Sequence, residues 1–382
     1  MANILLLGGG LQVLSIACSL VEVGHTVNAL NEHNKISKKS RYVNKCIEVD
    51  FRDIDVDKFV DIIIRENYDV IIPMEDPHAD WLSFHKKEIE DRCYKLKCAV
   101  PDYDVFQLGS DKGKLLTFCE ERGLGVPKTR LIGDDWDVVA DYVGFPALIK
   151  PNHSAGARGI VLVNNMEEFK TKAPMIIAEY GESSLQEYLC SKDYYYNVMM
   201  YRTKDGRFGN HCIIKIIRYY PIKGGSSSLS VTVDNAKLVK QCKEVLDALN
   251  WVGFADFDIL EKGEDDYRII EINPRVPASV RGAAMSGINY GEMIVADCMG
   301  KELPVYEYHT GRYLRYLGLD ICWFFASPKR FSFRPSWFWF FGKDLYYMEG
   351  GKKDWRAMLA SIWSGIKKQL NSEFRRQKSG MK

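Results

Sequence analysis

The 382-residue chain has no run of about 18 apolar residues, so no segment is expected to span a bilayer. It has almost no net charge. With 52 Lys and Arg against 51 Asp and Glu it carries +1, and no global basic field argues for a nucleic-acid partner. It lacks Cys-x-x-Cys and any histidine pair at zinc spacing. Its 10 cysteines are scattered, which suits free thiols in a reducing cytosol better than disulfides or a structural metal. The opening Met1-Ala-Asn-Ile-Leu-Leu-Leu lacks a basic n-region, so no signal peptide and a cytoplasmic location are expected. What is present is ordinary for a globular protein, 46% hydrophobic and 27% charged, with length for roughly two or three compact units.

The richest stretch is Tyr267-Arg-Ile-Ile-Glu-Ile-Asn-Pro-Arg275, which alternates like a strand. Ile270 and Ile272 face one way; Glu271, Asn273 and Arg275 face the other. Upstream, Phe254 to Leu260 alternates too, with Asp256 and Asp258 opposite Phe257 and Ile259. The short acidic turn between them suits an antiparallel hairpin that gathers Asp258, Glu271 and Asn273 on one face. Hard oxygen ligands on a rigid sheet suit Mg²⁺, which usually shares its shell with substrate phosphates. The plainer alternative is a half-buried hairpin with a wet face.

The chain opens with a strand, Asn3 to Leu7, then Gly8-Gly-Gly10, a helical pattern ending at Gly24, and a second strand from His25 to Leu30. This β-α-β opening matches the dinucleotide fingerprint only in part, because Val13 stands where the third glycine belongs. Glu32 is a candidate ribose acid or a plain surface residue. Helices near Val56 to Glu66 and His78 to Glu90 flank a strand, Val70 to Pro73. Residues 1 to 105 read as one small α/β domain.

A second unit begins with Ser110-Asp-Lys112 at a helix start, where Ser110 and Asp111 are good N-cap types. The strand Ala147 to Lys150 leads into His153-Ser-Ala-Gly-Ala-Arg-Gly159 and a strand to Val163. Strand, small flexible loop, strand fits a phosphate-covering hairpin, whose small residues let backbone N–H groups approach phosphate while Arg158 adds charge. A plain glycine-turned hairpin is the alternative. The extended run Gln186 to Leu189 offers a carbonyl and an amide to an adenine edge, and Asp193 offers a carboxylate to ribose hydroxyls. Lys215, on an apolar strand, either snorkels or points at phosphate. Ser226 to Ser228 are candidates to line an acceptor pocket.

In this order the residues resemble the ATP-grasp superfamily, in its carbamoyl-phosphate-synthase-like branch of carboxylate–amine ligases. The resemblance covers about residues 1 to 300. It implies an α/β fold, with a Rossmann-like pre-ATP-grasp domain (1–105), a two-part ATP-grasp domain (106–302) and an extension (303–382). It implies that Lys112 and Lys150 contact ATP phosphates and that Ser154, Gly156 and Ala157 belong to the covering flap. Gln186, Glu187 and Leu189 fall at the hinge that reads adenine, and Asp193 at the ribose. Asp258, Glu271 and Asn273 match the Mg²⁺ set, for one or two ions, with Mn²⁺ an alternative. Arg275 matches the arginine that steadies an acyl-phosphate. Lys215 would add positive charge, and Arg281 would hold the substrate carboxylate unless it is a helix-start surface residue.

The sequence departs from the pattern in its flap, in Asn197 where relatives often carry an acid, and in having one ATP-grasp unit without a glutamine-hydrolysing triad. The last point argues against carbamoyl-phosphate synthesis. The implied activity is ATP-dependent amide formation from a small-molecule or glycan-linked carboxylate and an amine, in the cytoplasm, with cell-surface polysaccharide synthesis one setting. A small-molecule kinase and a non-catalytic nucleotide-binding protein are the alternatives. Relatives often dimerise, though the sequence marks no interface.

Beyond residue 303 aromatics crowd together in Trp323-Phe-Phe, Phe331-Ser-Phe and Trp337-Phe-Trp-Phe-Phe341. From Asp354 to Phe374 the pattern is helical, with Leu359, Ile362, Trp363, Ile366 and Leu370 on one face and a basic end. Residues 320–376 read either as a peripheral membrane contact at the inner face or as a cap packed on the core.

Overall fold

The computed structural model describes residues 1–31, 36–51, 54–133, 135–153, 158–190, 192–222 and 224–370. Glu32, Lys223 and the flap residues Ser154, Gly156 and Ala157 lie outside them.

Three sheets organise the chain. The first is parallel, in the order β3-β2-β1-β4-β5, from β1 (Asn3–Leu7), β2 (Thr26–Asn31), β3 (Lys45–Glu48), β4 (Val70–Pro73) and β5 (Lys97–Cys98). Its central strands are near-continuous apolar runs because helices cover both faces. On one side α2 (Val56–Glu66) and α3 (Asp76–Arg92) close over Leu5, Leu7 and Ile71. On the other, α1 (Leu11–Glu22) packs Ile16 and Leu20 against Ile4 and Leu6, and this core continues into the last sheet.

Next, α4 (Tyr103–Ser110) and α5 (Lys112–Glu120) lead to a small antiparallel sheet, β6-β9-β7-β8. Its strands are β6 (Thr129–Leu131), β7 (Ala147–Pro151), β8 (Val161–Val163) and β9 (Ser183–Glu187). It is backed by α6 (Trp136–Val143) and α7 (Met166–Tyr180), which bury Val139, Phe169 and Ala173.

The large sheet runs β14-β13-β10-β11-β12-β15-β16. Its strands are β10 (Tyr195–Arg202), β11 (Cys212–Tyr220), β12 (Ser226–Val233), β13 (Gly253–Gly263), β14 (Asp266–Asn273), β15 (Tyr313–Arg315) and β16 (Leu345–Tyr347). One face takes α8 (Ala236–Ala248) and α5 in a core around Trp251, Phe257 and Ile259. The other meets α9 (Val280–Met285) and α10 (Tyr290–Cys298), and through them α1.

The stretch from 303 therefore builds onto the core. Antiparallel β15 pairs with β12, β16 lies parallel beside β15, and α11 (Leu317–Ala326) packs on β11 and β12. The last helix, α12 (Trp355–Leu370), packs on α11 with a face other than the one its large residues suggest. Ala357, Ser361 and Gly365 are buried, whereas Leu359 is 53% and Trp363 61% exposed. Small residues let the helices close up: a Cβ added at Gly318 of α11 would lie 3.7 Å from the Cα of Gly365.

Candidate active site

The acidic hairpin forms, with one correction: a bulge after Asp258 turns Ile269, not Ile270, into the core with Ile272. In the β13–β14 register Asp258 stands opposite Glu271 and Asp256 opposite Asn273. On the neighbouring strand Asn197 stands opposite Asp258 and donates its side-chain N–H to that carboxylate. Lys112 reaches Glu271 from the first turn of α5, with Nζ to Oε2 at 3.1 Å. Its position follows from the helix cap: buried Asp111 accepts the Lys114 amide at 2.9 Å and lies 3.3 Å from His153 Nε2. Gly113 matters for the same reason. A Cβ there would come within 2.5 Å of Ser184 Oγ, so glycine lets α5 approach the small sheet closely.

Lys150 comes from that small sheet, paired with Ser184 in the β7–β9 ladder, and is 8% exposed. Burial, together with the charge of neighbouring Lys112, lowers its pKa to about 8 against the pull of Glu271 and Asp258. Burial also works against the charge of Glu271. The Lys112 ammonium, a hydrogen bond with Asp258 and the charge of Lys150 outweigh it and hold that carboxyl low. Asp258 moves the other way, raised by burial and by the Glu271 charge beside it. Two cations from two elements thus face an acidic pair between the two sheets.

Arg275 links this cluster to the first sheet. Its Nε lies 3.0 Å from Asp76 Oδ1, and its Nη2 lies 3.5 Å from Asn273 Oδ1. Asp76 begins α3 just after β4, beside the Gly8–Gly10 loop that follows β1. Gly9 N–H donates to Glu75 at 3.3 Å. Gly8 has φ +102°, and a Cβ there would lie 3.2 Å from the Glu75 carboxyl. Strands β1 and β4 flank the point where the parallel sheet reverses its order, the usual crevice for ligands in such sheets.

Other expected residues lie elsewhere. Lys215 pairs with Tyr196, which packs in the α8-side core, while Asn197 and Asp258 occupy the opposite face. Its ammonium sits 3.6 Å from the Tyr194 ring centroid, so it does not join Lys112 and Lys150. Arg281 donates from Nε to the Tyr347 carbonyl at 2.7 Å, and burial lowers its pKa against the pull of Cys18 and Glu349. It braces the junction of α9 with the C-terminal segment. Ser228 is buried and donates to Asp320, so it lines no open pocket.

At the hinge, the Gln186 side chain donates to Thr129 Oγ1 at 3.3 Å. Glu187 pairs with Lys262 at 2.5 Å and Leu189 is buried. The amides of Glu187 and Tyr188 already donate to the Lys128 and Pro146 carbonyls. Asp193 is exposed and pairs with Lys329 of the C-terminal segment at 2.5 Å.

The sequence reading assigned no role to Asp256, Asp76 or Glu75. Asp256 was visible in the alternation with Asp258. For the other two the signal was an acidic pair at the end of β4 that also opens a helix.

The donor set fits Mg²⁺. Two carboxylates stand opposite one another, and burial with mutual repulsion raises the Asp258 pKa; a divalent cation would relieve that repulsion. Among the described residues no three His, Cys, Asp or Glu side chains gather at ligand spacing. Two carboxylates and the Asn273 amide oxygen make an incomplete shell, as expected of an ion that keeps positions for phosphate and water.

Residues 109–279 match the ATP-grasp domain family. The chain is 25% identical over 247 residues to the D-aspartate ligase of Enterococcus faecium, covering 60% of this chain and 58% of that one. It is 25% identical over 185 residues to the carbamoyl phosphate synthase large chain of Methanospirillum hungatei, covering 45% of this chain and 17% of the other. The matched part thus spans little more than half of the first relative and under a fifth of the second. Among solved structures, N5-carboxyaminoimidazole synthetase of Staphylococcus aureus complexed with ADP superposes with a TM-score of 0.65 at 17% identity, over 84% of each chain. That likeness carries the fold. Over residues 109–279 the chain thus matches the ATP-grasp domain, and the paired sheets of that part hold Lys112, Lys150 and the acidic hairpin.

Proposed function

We propose that the protein is an ATP-dependent carboxylate–amine ligase. The observation that carries the proposal is the convergence of Lys112 and Lys150, from separate elements, on Asp258 and Glu271 between the two antiparallel sheets. ATP brings about four negative charges, and a carboxylate substrate must approach them. Two like charges 4 Å apart repel by ~4 kcal/mol at an effective dielectric near 20. Lys112 and Lys150 supply positive charge to the phosphates, and Arg275 stands over the transfer point, oriented by Asp76. Mg²⁺ held by Asp258, Glu271 and Asn273 would add Lewis-acid stabilisation of the phosphate oxygens. The base edge of the nucleotide meets the hinge beyond Tyr188, at Leu189, and Asp193 accepts from the ribose once released by Lys329.

The carboxylate oxygen attacks the γ-phosphorus in line. The bond to the β,γ-bridging oxygen breaks, and ADP leaves. The ammonium group loses one proton to water, the amine so formed attacks the acyl carbon, the bond to phosphate breaks, and a second proton leaves the nitrogen. The second substrate enters at the β1/β4 switch point, where Glu75 and Asp76 favour a cationic amine group. The likeness to a D-aspartate ligase favours an amino acid among the reactants, and a glycan-linked uronic acid is the polysaccharide-related carboxylate to include.

ADP release should be screened over carboxylic acids crossed with amino acids. Glu271→Gln and Lys150→Ala should each lower substrate-dependent ADP release by about a hundredfold or more without changing the melting temperature appreciably. Wild-type turnover in either variant would defeat the assignment. Stable phosphorylated product without any amine would point to a kinase instead.

A further inference from the structure

Residues 321–343 contain Lys329, Arg330, Arg334 and Lys343 and no acidic residue. Their aromatics divide by direction. The tryptophan side points inward. Trp323 is 5% exposed and lies 4.9 Å under the Arg218 guanidinium, and Trp337 Nε1 donates to the Asp320 carbonyl at 3.0 Å. Arg315 donates to the carbonyls of Trp337 and Trp339 at 2.9 and 3.0 Å. Four of the phenylalanines point outward. Phe325 is 73% exposed, Phe331 69%, Phe338 58% and Phe341 91%. The first three are held as a group, because Phe324 contacts Phe325, Phe331 and Phe338 with ring centroids 5.6 to 5.9 Å apart. The carbonyls of Trp337 and Trp339, bonded to buried Arg315, anchor the lobe and hold these rings away from the core. Arg330 sits 5.8 Å from the Phe331 ring and Arg334 is exposed.

We propose that this phenylalanine lobe docks on an anionic lipid bilayer, with the rings entering the headgroup–acyl boundary and Arg330, Arg334 and Lys343 meeting anionic headgroups. Charge decides against a second copy of the chain. A two-fold contact would set these cations against their own counterparts, with no acid in the run to pair them. Among the described residues no helix is long and apolar enough to cross a membrane, so the contact is peripheral. The inference rests on this surface alone and is independent of the ligase reading.

The test uses the full chain and sedimentation with phosphatidylcholine vesicles, with and without phosphatidylglycerol. Wild-type protein should pellet with the anionic vesicles and do so less as salt rises. Phe331→Ser/Phe338→Ser/Phe341→Ser and Arg330→Glu/Arg334→Glu should each weaken binding by about tenfold or more, with melting temperature and nucleotide binding unchanged. Three results would overturn the proposal: no wild-type pelleting, equal pelleting of both variants, or a wild-type dimer that the triple variant dissolves without any vesicle binding.

Discussion

At the scale of single residues, the most informative group outside the candidate site is Glu349. It is 1% exposed and accepts the Gly318 amide at 3.4 Å. Burial raises its pKa from 4.5 to about 7, against backbone hydrogen bonds and the charge of Arg315. A carboxyl raised in this way keeps its proton in the native state where the unfolded chain has lost it. Stability is therefore intact below about pH 4.5 and falls as pH rises to about 7, by about 3 kcal/mol in all. Glu349→Gln removes the titration. Urea midpoints at about pH 5 and about pH 8 should show the wild type losing stability relative to the variant at the higher pH. A difference that does not change with pH would mean that Glu349 is already ionised in the fold.

At the scale of elements, the same physics explains which parts were legible. In the β13–β14 hairpin Ala255, Phe257 and Ile259 enter one core opposite Asp256 and Asp258, so the pairing of Asp258 with Glu271 could be read; the bulge that turns Ile269 rather than Ile270 into that core could not. Strand β11 could not be read that way. Ile213 and Ile216 bury into different cores on the two faces, and apolar residues on both sides of Lys215 leave no period to orient it. The final helix misled for a different reason. Hydropathy ranks Leu359 and Trp363 above Ala357, Ser361 and Gly365, but α11 approaches too closely for large side chains. A Cβ at Gly365 would lie 3.3 Å from the Tyr316 hydroxyl. Gly365→Leu should therefore destabilise the protein by about 1–3 kcal/mol through overpacking, read as a lowered urea midpoint. Leu359→Ser, on the exposed side, should change it by less than about 0.5 kcal/mol. Equal effects from the two would show that α12 does not pack through its small residues.

At the scale of the whole molecule, the acidic hairpin lies at one edge of the seven-stranded sheet and the C-terminal strands at the other. What secures the far edge is a buried ion triad. Asp320 of α11 lies 3.0 Å from Arg218 Nε on β11 and 2.6 Å from Arg315 Nε on β15, with all three side chains at most 1% exposed. Nothing local in the sequence could reveal it, because Arg218 and Asp320 meet across 102 residues. The arrangement leaves one net positive charge buried under Trp323, Trp337 and Phe340. Burial raises the Asp320 pKa against both arginines and lowers that of Arg218 to about 10. Desolvating such ions costs about as much as their attraction returns, so the triad gives register more than stability. Asp320→Asn should then cost about 3–5 kcal/mol, since it strands two buried guanidinium groups. Replacing all three with apolar residues of similar volume should cost less than Asp320→Asn alone, even though it gives up the Arg315 bonds to the lobe. Urea denaturation of the two variants decides the matter. If the triple replacement proves the more damaging, the charges themselves hold the C-terminal strands to the sheet.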